Sequence, residues 1–205
     1  MFRSLLLVHL LASTLFFRPS SAEAGASSSS TVNATDYIRT SCNSTQYPEL
    51  CYTSLVSYAE SVQQNPARLA RVAIGVSLSR ANRLAIYIRN LTSRGDYGDD
   101  PRAAAALHDC SSVFGDAVDQ MRESLDQMRR LKGAGEELEF EMSNVQTWMS
   151  AALTNEETCT DGFEDVADGP MKADVCVRVV KVKEITSNAL ALVNSFVANS
   201  KVMVP

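Results

Sequence analysis

The chain has 205 residues, 45% of them hydrophobic, with 19 basic against 24 acidic side chains and a net charge of −5. Such a chain has enough length for one domain with a substantial core. An acidic sequence without basic clusters repels phosphate backbones, which argues against a nucleic-acid partner.

Residues 1–24 read as a secretory signal peptide. Arg3 gives a positive start, Leu5 to Phe17 an apolar run, and Ala22-Glu23-Ala24 a small-residue cleavage pattern. The apolar run of 13 residues is shorter than the roughly 20 that a membrane helix needs, so a signal anchor is the weaker reading. Later stretches lack the length and apolarity of a membrane span, and the mature chain is expected to be soluble. Cleavage would remove Arg3, Arg18 and Glu23, leaving 17 basic against 23 acidic residues and a net charge of −6. Residues 25–34 are Ser-rich and are expected to form a flexible leader.

From Thr35 onward the signals are helical, with no sustained alternation of the kind a strand shows. A short helical hairpin is expected over 35–63: a turn or two near Asp36–Ser41, then a helix opened by Tyr47-Pro48 and running to about Ala59. Four longer amphipathic helices are expected over 64–201. Asn65-Pro66 opens the first, with Leu69, Val72, Val76, Leu84, Ile88 and Leu91 on one stripe, and Arg94-Gly95 closes it. Asp100-Pro101 opens the second, with Leu107, Cys110, Phe114, Met121 and Met128 along its apolar face. Gly133-Ala134-Gly135 ends it, after Arg129, Arg130 and Lys132 at the negative end of the helix dipole. The third carries Leu138, Met142, Val145, Met149 and Ala152, and Asp168-Gly169-Pro170 precedes the last. Helices with one apolar stripe joined by short links form an up-down-up-down bundle most economically. The expected class is therefore all-α: a four-helix bundle preceded by a hairpin.

All five cysteines, Cys42, Cys51, Cys110, Cys159 and Cys176, lie beyond the signal peptide, and in an exported chain they read as two disulfides and one leftover thiol. A Cys42–Cys51 bridge would staple the hairpin, contributing about 2–3 kcal/mol by chain entropy. A Cys110–Cys159 bridge would tie two antiparallel neighbours and contribute roughly 4 kcal/mol. Cys176 follows Val175 and is left unpaired. No Cys-x-x-Cys pair exists and the mature chain has one histidine, His108, so no metal site and no cofactor are expected. Asn33, Asn43 and Asn90 stand in Asn-x-Ser/Thr glycan-acceptor patterns.

Catalytic constellations are missing from the sequence: no Gly-x-Ser-x-Gly, no phosphate-cradling glycine loop, no base beyond His108, which reads as a surface or half-buried side chain. Asp116, Asp119, Glu123 and Asp126 step by three, four and three along one helix face, opposite the apolar stripe. A solvated face is the plain reading; a docking ridge for a basic partner is the other. Paired glycosidase carboxylates would need a cleft that a bundle exterior does not offer.

Several segments together resemble one family. They are Ser41-Cys42 with Thr45-Gln46-Tyr47-Pro48-Glu49-Leu50-Cys51-Tyr52-Thr53-Ser54-Leu55, then Asp109-Cys110 with Phe114 and Ala117-Val118-Asp119. Val145 to Thr154, Thr158-Cys159-Thr160-Asp161-Gly162-Phe163 and Ser187 to Leu192 complete the set. This pattern is similar to the plant invertase inhibitor and pectin methylesterase inhibitor family, across nearly everything after residue 35. The resemblance implies Cys42–Cys51 and Cys110–Cys159 disulfides, a free Cys176, and a cell-wall or vacuolar protein that inactivates a carbohydrate-active enzyme in a stoichiometric complex. The connection Lys132-Gly133-Ala134-Gly135-Glu136-Glu137-Leu138 lacks the Pro-Lys-Phe of the invertase-inhibiting branch, whereas Thr147 to Phe163 looks like the pectin methylesterase branch. It also looks like the pro-regions of those esterases; no catalytic domain follows Pro205, so a free-standing inhibitor is expected.

Carried onto this chain, the family's contact positions fall on Asp116, Asp119, Gln146, Thr158 and Asp161, with Gln146 departing from the Asn of some members. Trp148 and Phe163 read as packing residues. Carboxylates at such an interface imply sensitivity to wall pH. The expected function is inhibition of a secreted pectin methylesterase by occlusion of its pectin cleft, with no catalytic activity and with a monomer as the simplest state. An invertase inhibitor is the alternative within the fold; an enzyme or a lipid carrier would need a cleft or hollow core that the pattern does not suggest.

Overall fold

The computed structural model describes residues 24–95, 98 and 100–202, with side chains from 33 to 200. The expected signal peptide lies outside the described residues, apart from Ala24. The described chain is helical throughout: α1 (Ala24–Cys42), α2 (Pro48–Leu55), a 3-10 turn (Val56–Tyr58), α3 (Ala59–Val62), α4 (Pro66–Arg94), α5 (Pro101–Arg130), α6 (Glu136–Asp161) and α7 (Pro170–Val202).

Local chemistry explains where each long helix starts. Asn65 caps α4 by accepting the Arg68 N–H at 2.9 Å, and Asp100 caps α5 through the Arg102 N–H at 2.9 Å. Proline follows each cap, where its missing N–H leaves no bond unmade. Gly95 closes α4 in the left-handed conformation at φ 69°, donating its N–H to the carbonyls of Leu91 and Thr92. Between α5 and α6, Gly135 sits at φ 59°, and Gly133 runs so close to α6 that an added Cβ would stand 2.9 Å from the Leu138 nitrogen. Glu136, Glu137 and Glu139 then occupy the first turn of α6, at the positive end of its dipole.

α4, α5, α6 and α7 pack in sequence order, and α7 closes the ring against α4. The cross-links show antiparallel neighbours. Cys110, early in α5, is bonded to Cys159, late in α6, and Ser77 and Tyr87 of α4 meet Thr186 and Asp174 of α7 in reverse order. The core runs along the axis through Leu69, Ile74, Ile88, Leu107, Phe114, Met121, Met142, Met149, Val179 and Val193, all buried. This is the up-down-up-down bundle that short links between amphipathic helices favour.

The hairpin docks on one side of this ring. Ile38, Leu55, Ala59 and Val62 are buried in it and Cys42 is bonded to Cys51. Its link to the bundle is a two-point clamp: the buried Asn188 of α7 accepts the Tyr47 N–H at 3.0 Å and donates to the Tyr47 carbonyl at 2.9 Å. One difference from expectation lies upstream. The helical backbone of α1 begins at Ala24, where a flexible leader over 25–34 was expected. Burial begins at Ala34 and Ile38, and a helix anchored there propagates backward at little cost, since only nucleation is expensive.

Candidate functional site

The two helices that carry the acidic ridge and the Cys159 segment are α5 and α6, and three ties hold them side by side. The Cys110–Cys159 disulfide joins them at one end, core packing joins them along their length, and Asn155 donates its amide N–H to Gln120 Oε1 at 3.0 Å across the outer seam. With both helices cross-linked, their outer face is a preformed platform.

Asp116 and Asp119 are both exposed on α5. The Gln120–Asn155 bond defines which flank of α5 looks at α6. At 100° per residue Asp116 lies about 40° from Gln120 and Asp119 about 100° from it, so Asp116 is the nearer to α6. Thr158 is exposed and stands about 60° outward of Asn155, one turn nearer the disulfide; Asp161 is exposed one turn beyond. Asp116 and Thr158 are thus level across the seam. Gln146 does not join them. Its amide donates to Asn194 Oδ1 of α7 at 2.8 Å, and nine residues from Asn155 it occupies the opposite flank of α6, about 180° around.

The ridge is less acidic than its carboxylates suggest. Asp119 is ion-paired with Arg122, and Asp126 with Arg129 at 3.0 Å, each three residues on along α5. Among the described residues Asp116 and Glu123 have no ion pair, so the unneutralised charge of the face concentrates there. His108 is exposed at the head of the same helix, 3.6 Å from the Asp109 carboxylate. Phe163 is fully buried beneath the end of α6, and Trp148 is half-buried. The Cys176 thiol is half-buried, and desolvation raises its pKa, which leaves it mainly protonated and a poor nucleophile. Among the described residues no group of three or more His, Cys, Asp or Glu side chains could hold a metal ion, and no helix is long and apolar enough to cross a membrane.

One residue of the site region escapes a pattern-based reading. Glu156 has no exposed surface at all. Its Oε1 lies 2.9 Å from Thr186 Oγ1, which lies 2.7 Å from Ser77 Oγ, so that a polar chain crosses the core from α6 through α7 to α4. Desolvation, opposed more weakly by Thr186 and by the charge of Lys183, pushes its pKa up to about 8. A signal for it was present: Glu156 continues the stripe Met142, Val145, Met149, Ala152 by a further step of four, directly onto the core face.

The platform, the stapled hairpin and the ring of four helices define a class, and comparison with known proteins gives it a family. Residues 36–192 match the family model for the plant invertase/pectin methylesterase inhibitor. The chain is 45% identical over 170 residues to the 21 kDa protein of Daucus carota, covering 82% of this chain and 87% of that one. It is 41% identical over 186 residues to pectinesterase inhibitor 9 of Arabidopsis thaliana, covering 87% and 91%. The fold matches a crystal structure of a mutant form of a pectin methylesterase inhibitor from Arabidopsis with a TM-score of 0.59 at 22% identity, over 77% of this chain and 95% of that one. The chain belongs to the plant invertase/pectin methylesterase inhibitor family.

Proposed function

We propose that this protein is a secreted inhibitor of plant cell-wall pectin methylesterase that acts by forming a stoichiometric, non-covalent complex. The outer face of α5 and α6 docks on the enzyme and occludes its pectin-binding cleft; no bond is made or broken and no cofactor takes part. The carrying observation is the platform itself: Asp116 and Thr158 lie level on two helices locked by a disulfide and a cross-seam hydrogen bond. A surface already rigid loses little conformational freedom on association, so more of its contact energy appears as affinity. Support for the target comes from relatives named as pectinesterase inhibitors, at 41% and 40% identity over most of both chains.

In this reading Asp116 supplies the free charge, Thr158 and Asp161 supply polar contacts near the disulfide, and Asp119 must part from Arg122 to engage. Gln146 belongs to the margin of the contact. The test is direct: incubate the purified protein with a plant pectin methylesterase and, separately, with an acid invertase, and follow both activities. Esterase activity is expected to fall to a stoichiometric end point while invertase activity is unchanged. The triple variant Asp116→Ala, Asp119→Ala, Thr158→Ala is expected to keep its helical circular dichroism and lose most of its inhibition. Undiminished potency in that variant would move the contact to another face, and loss of invertase activity alone would reassign the target.

A further inference from the structure

On the side of the ring away from α5 and α6, a trough of about 480 Å³ runs between α4 and α7, with α2 across one end. Its two banks repeat one pattern in opposite directions: Arg80, Arg83, Leu84 and Tyr87 on α4, and Arg178, Lys181, Val182 and Ile185 on α7. The buried Leu84 and Val182 make an apolar floor, and the four cations stand exposed along the rims. No stretch of the sequence is a basic cluster; pairing helices that lie about a hundred residues apart assembles one on an acidic protein. Two carboxylates temper it. Asp174 holds Arg178 at 2.8 Å and accepts the Tyr87 hydroxyl, and Glu184 lies 3.3 Å from Lys181. Arg80 and Arg83 have no ion pair among the described residues, so their charge is uncompensated.

We propose that this trough binds an acidic oligosaccharide, an oligogalacturonate laid along the groove between α4 and α7. A guanidinium presents a planar fork that pairs with a carboxylate in two parallel bonds, and arginines on a rim meet carboxylates that recur along a sugar chain. An apolar floor beneath polar rims suits the C–H faces of pyranose rings, and Thr53 and Ser54 of α2 border the same recess. A lipid bilayer is too flat to reach the floor, and the acidic remainder of the surface repels anionic vesicles. The choice of galacturonate among uronates rests on the esterase reading, because removing methyl esters from pectin creates those carboxylates. The trough faces away from the proposed enzyme contact, so the protein can hold the de-esterified polymer while its other face holds the enzyme.

Titration calorimetry of the purified protein with an oligogalacturonate, its fully methyl-esterified form, a polyglutamate of equal charge and phosphatidylserine vesicles tests this. The acidic sugar is expected to bind, with affinity falling between low salt and about 0.5 M salt as exposed charges are screened. Methyl-esterified sugar and polyglutamate are each expected to bind at least about tenfold more weakly, since one lacks the charge and the other the rings. The double variant Arg80→Gln, Arg83→Gln is expected to weaken oligogalacturonate binding about tenfold while inhibiting the esterase as wild type does. Circular dichroism checks its fold, and the two single substitutions replace it if it unfolds. No binding of the acidic sugar, undiminished binding by the variants, or equal binding of polyglutamate or vesicles would overturn the proposal. A protein that binds the sugar but inhibits no esterase would refute the inhibitor reading and leave the trough's ligand class intact.

Discussion

A carboxyl group without solvent exposure is costly in its charged form, and Glu156 meets that cost by staying protonated. Thr186 Oγ1 has three polar neighbours: Ser77 Oγ at 2.7 Å, Glu156 Oε1 at 2.9 Å and the Val182 carbonyl at 3.1 Å. Thr186 Oγ1 donates to Glu156 Oε1 and can accept from Ser77 Oγ, but the buried Glu156 Oε2 has no hydrogen-bond partner among the described residues, so the charged carboxylate would be only half satisfied. The consequence for stability has a definite sign. The folded-state pKa is raised from the usual 4.5 to about 8, so between those values the folded protein holds a proton that the unfolded chain has released. Stability is therefore greatest below that window and falls as pH rises through it. The shift corresponds to a loss on the order of 4 kcal/mol by the upper end, at about 1.4 kcal/mol per pH unit. Thermal unfolding from pH 4 to 9 is expected to show this decline in the wild type. The isosteric Glu156→Gln protein carries no proton to lose, and its melting temperature is expected to stay level across the same window; an equally steep decline there would remove Glu156 as the cause.

Among the elements, the N-terminal hairpin depends most on a single side chain. Asn188 satisfies both the N–H and the carbonyl of Tyr47, and Ser187 adds a bond to Gln46 at 3.2 Å. Replacing Asn188 by Ala leaves the half-buried Tyr47 N–H unpaired, while the Tyr47 carbonyl keeps the Cys51 N–H at 2.9 Å, and is expected to cost about 1–3 kcal/mol. The loss is local: hydrogen exchange is expected to rise first over α1 to α3, with α5 and α6 still protected. Uniform loss of protection would mean that the hairpin and bundle unfold together. In the link between α5 and α6, Gly133→Ala would press a methyl group against the Leu138 nitrogen and Glu137, which must shift to admit it. A drop of about 1–3 kcal/mol in denaturant titrations is expected, the usual range for overpacking.

For the molecule as a whole, the Cys110–Cys159 bridge does two jobs. It closes 49 residues of chain, worth roughly 4 kcal/mol in the loop-entropy model, and it fixes the α5–α6 seam on which the proposed enzyme contact is built. Substituting both cysteines by Ser is expected to lower stability by about that amount and to weaken esterase inhibition beyond what unfolding explains, as measured well below the melting temperature. The same substitution should leave oligogalacturonate binding unchanged, because the trough is built by α4 and α7. The buried network, the clamp and the disulfide each join different pairs of helices, and together they hold the two outward faces in fixed relation.

Element identities were legible in the sequence because they depend on neighbours within about four residues: Asn65-Pro66, Asp100-Pro101, Gly95 and Gly135 start or stop helices by local hydrogen bonding and backbone freedom. The apolar stripes carried the bundle for the same reason, since a face repeats every 3.6 residues wherever the helix ends up. The site was legible only in part. Asp116, Asp119, Thr158 and Asp161 come out exposed, and three-residue spacing allows Arg122 and Arg129 to answer two of the ridge's carboxylates, but nothing in a spacing pattern tells that Gln146 turns to Asn194. Glu156 lies on the core stripe, but a stripe of apolar residues is not extended to a carboxylate by pattern alone. What tertiary structure alone decided were the meetings of distant residues: the core proton at Glu156, the clamp at Tyr47 and the basic trough. Those depend on which helices become neighbours and how each is rotated about its axis, and that is set by the packing of the whole ring rather than by any segment of it.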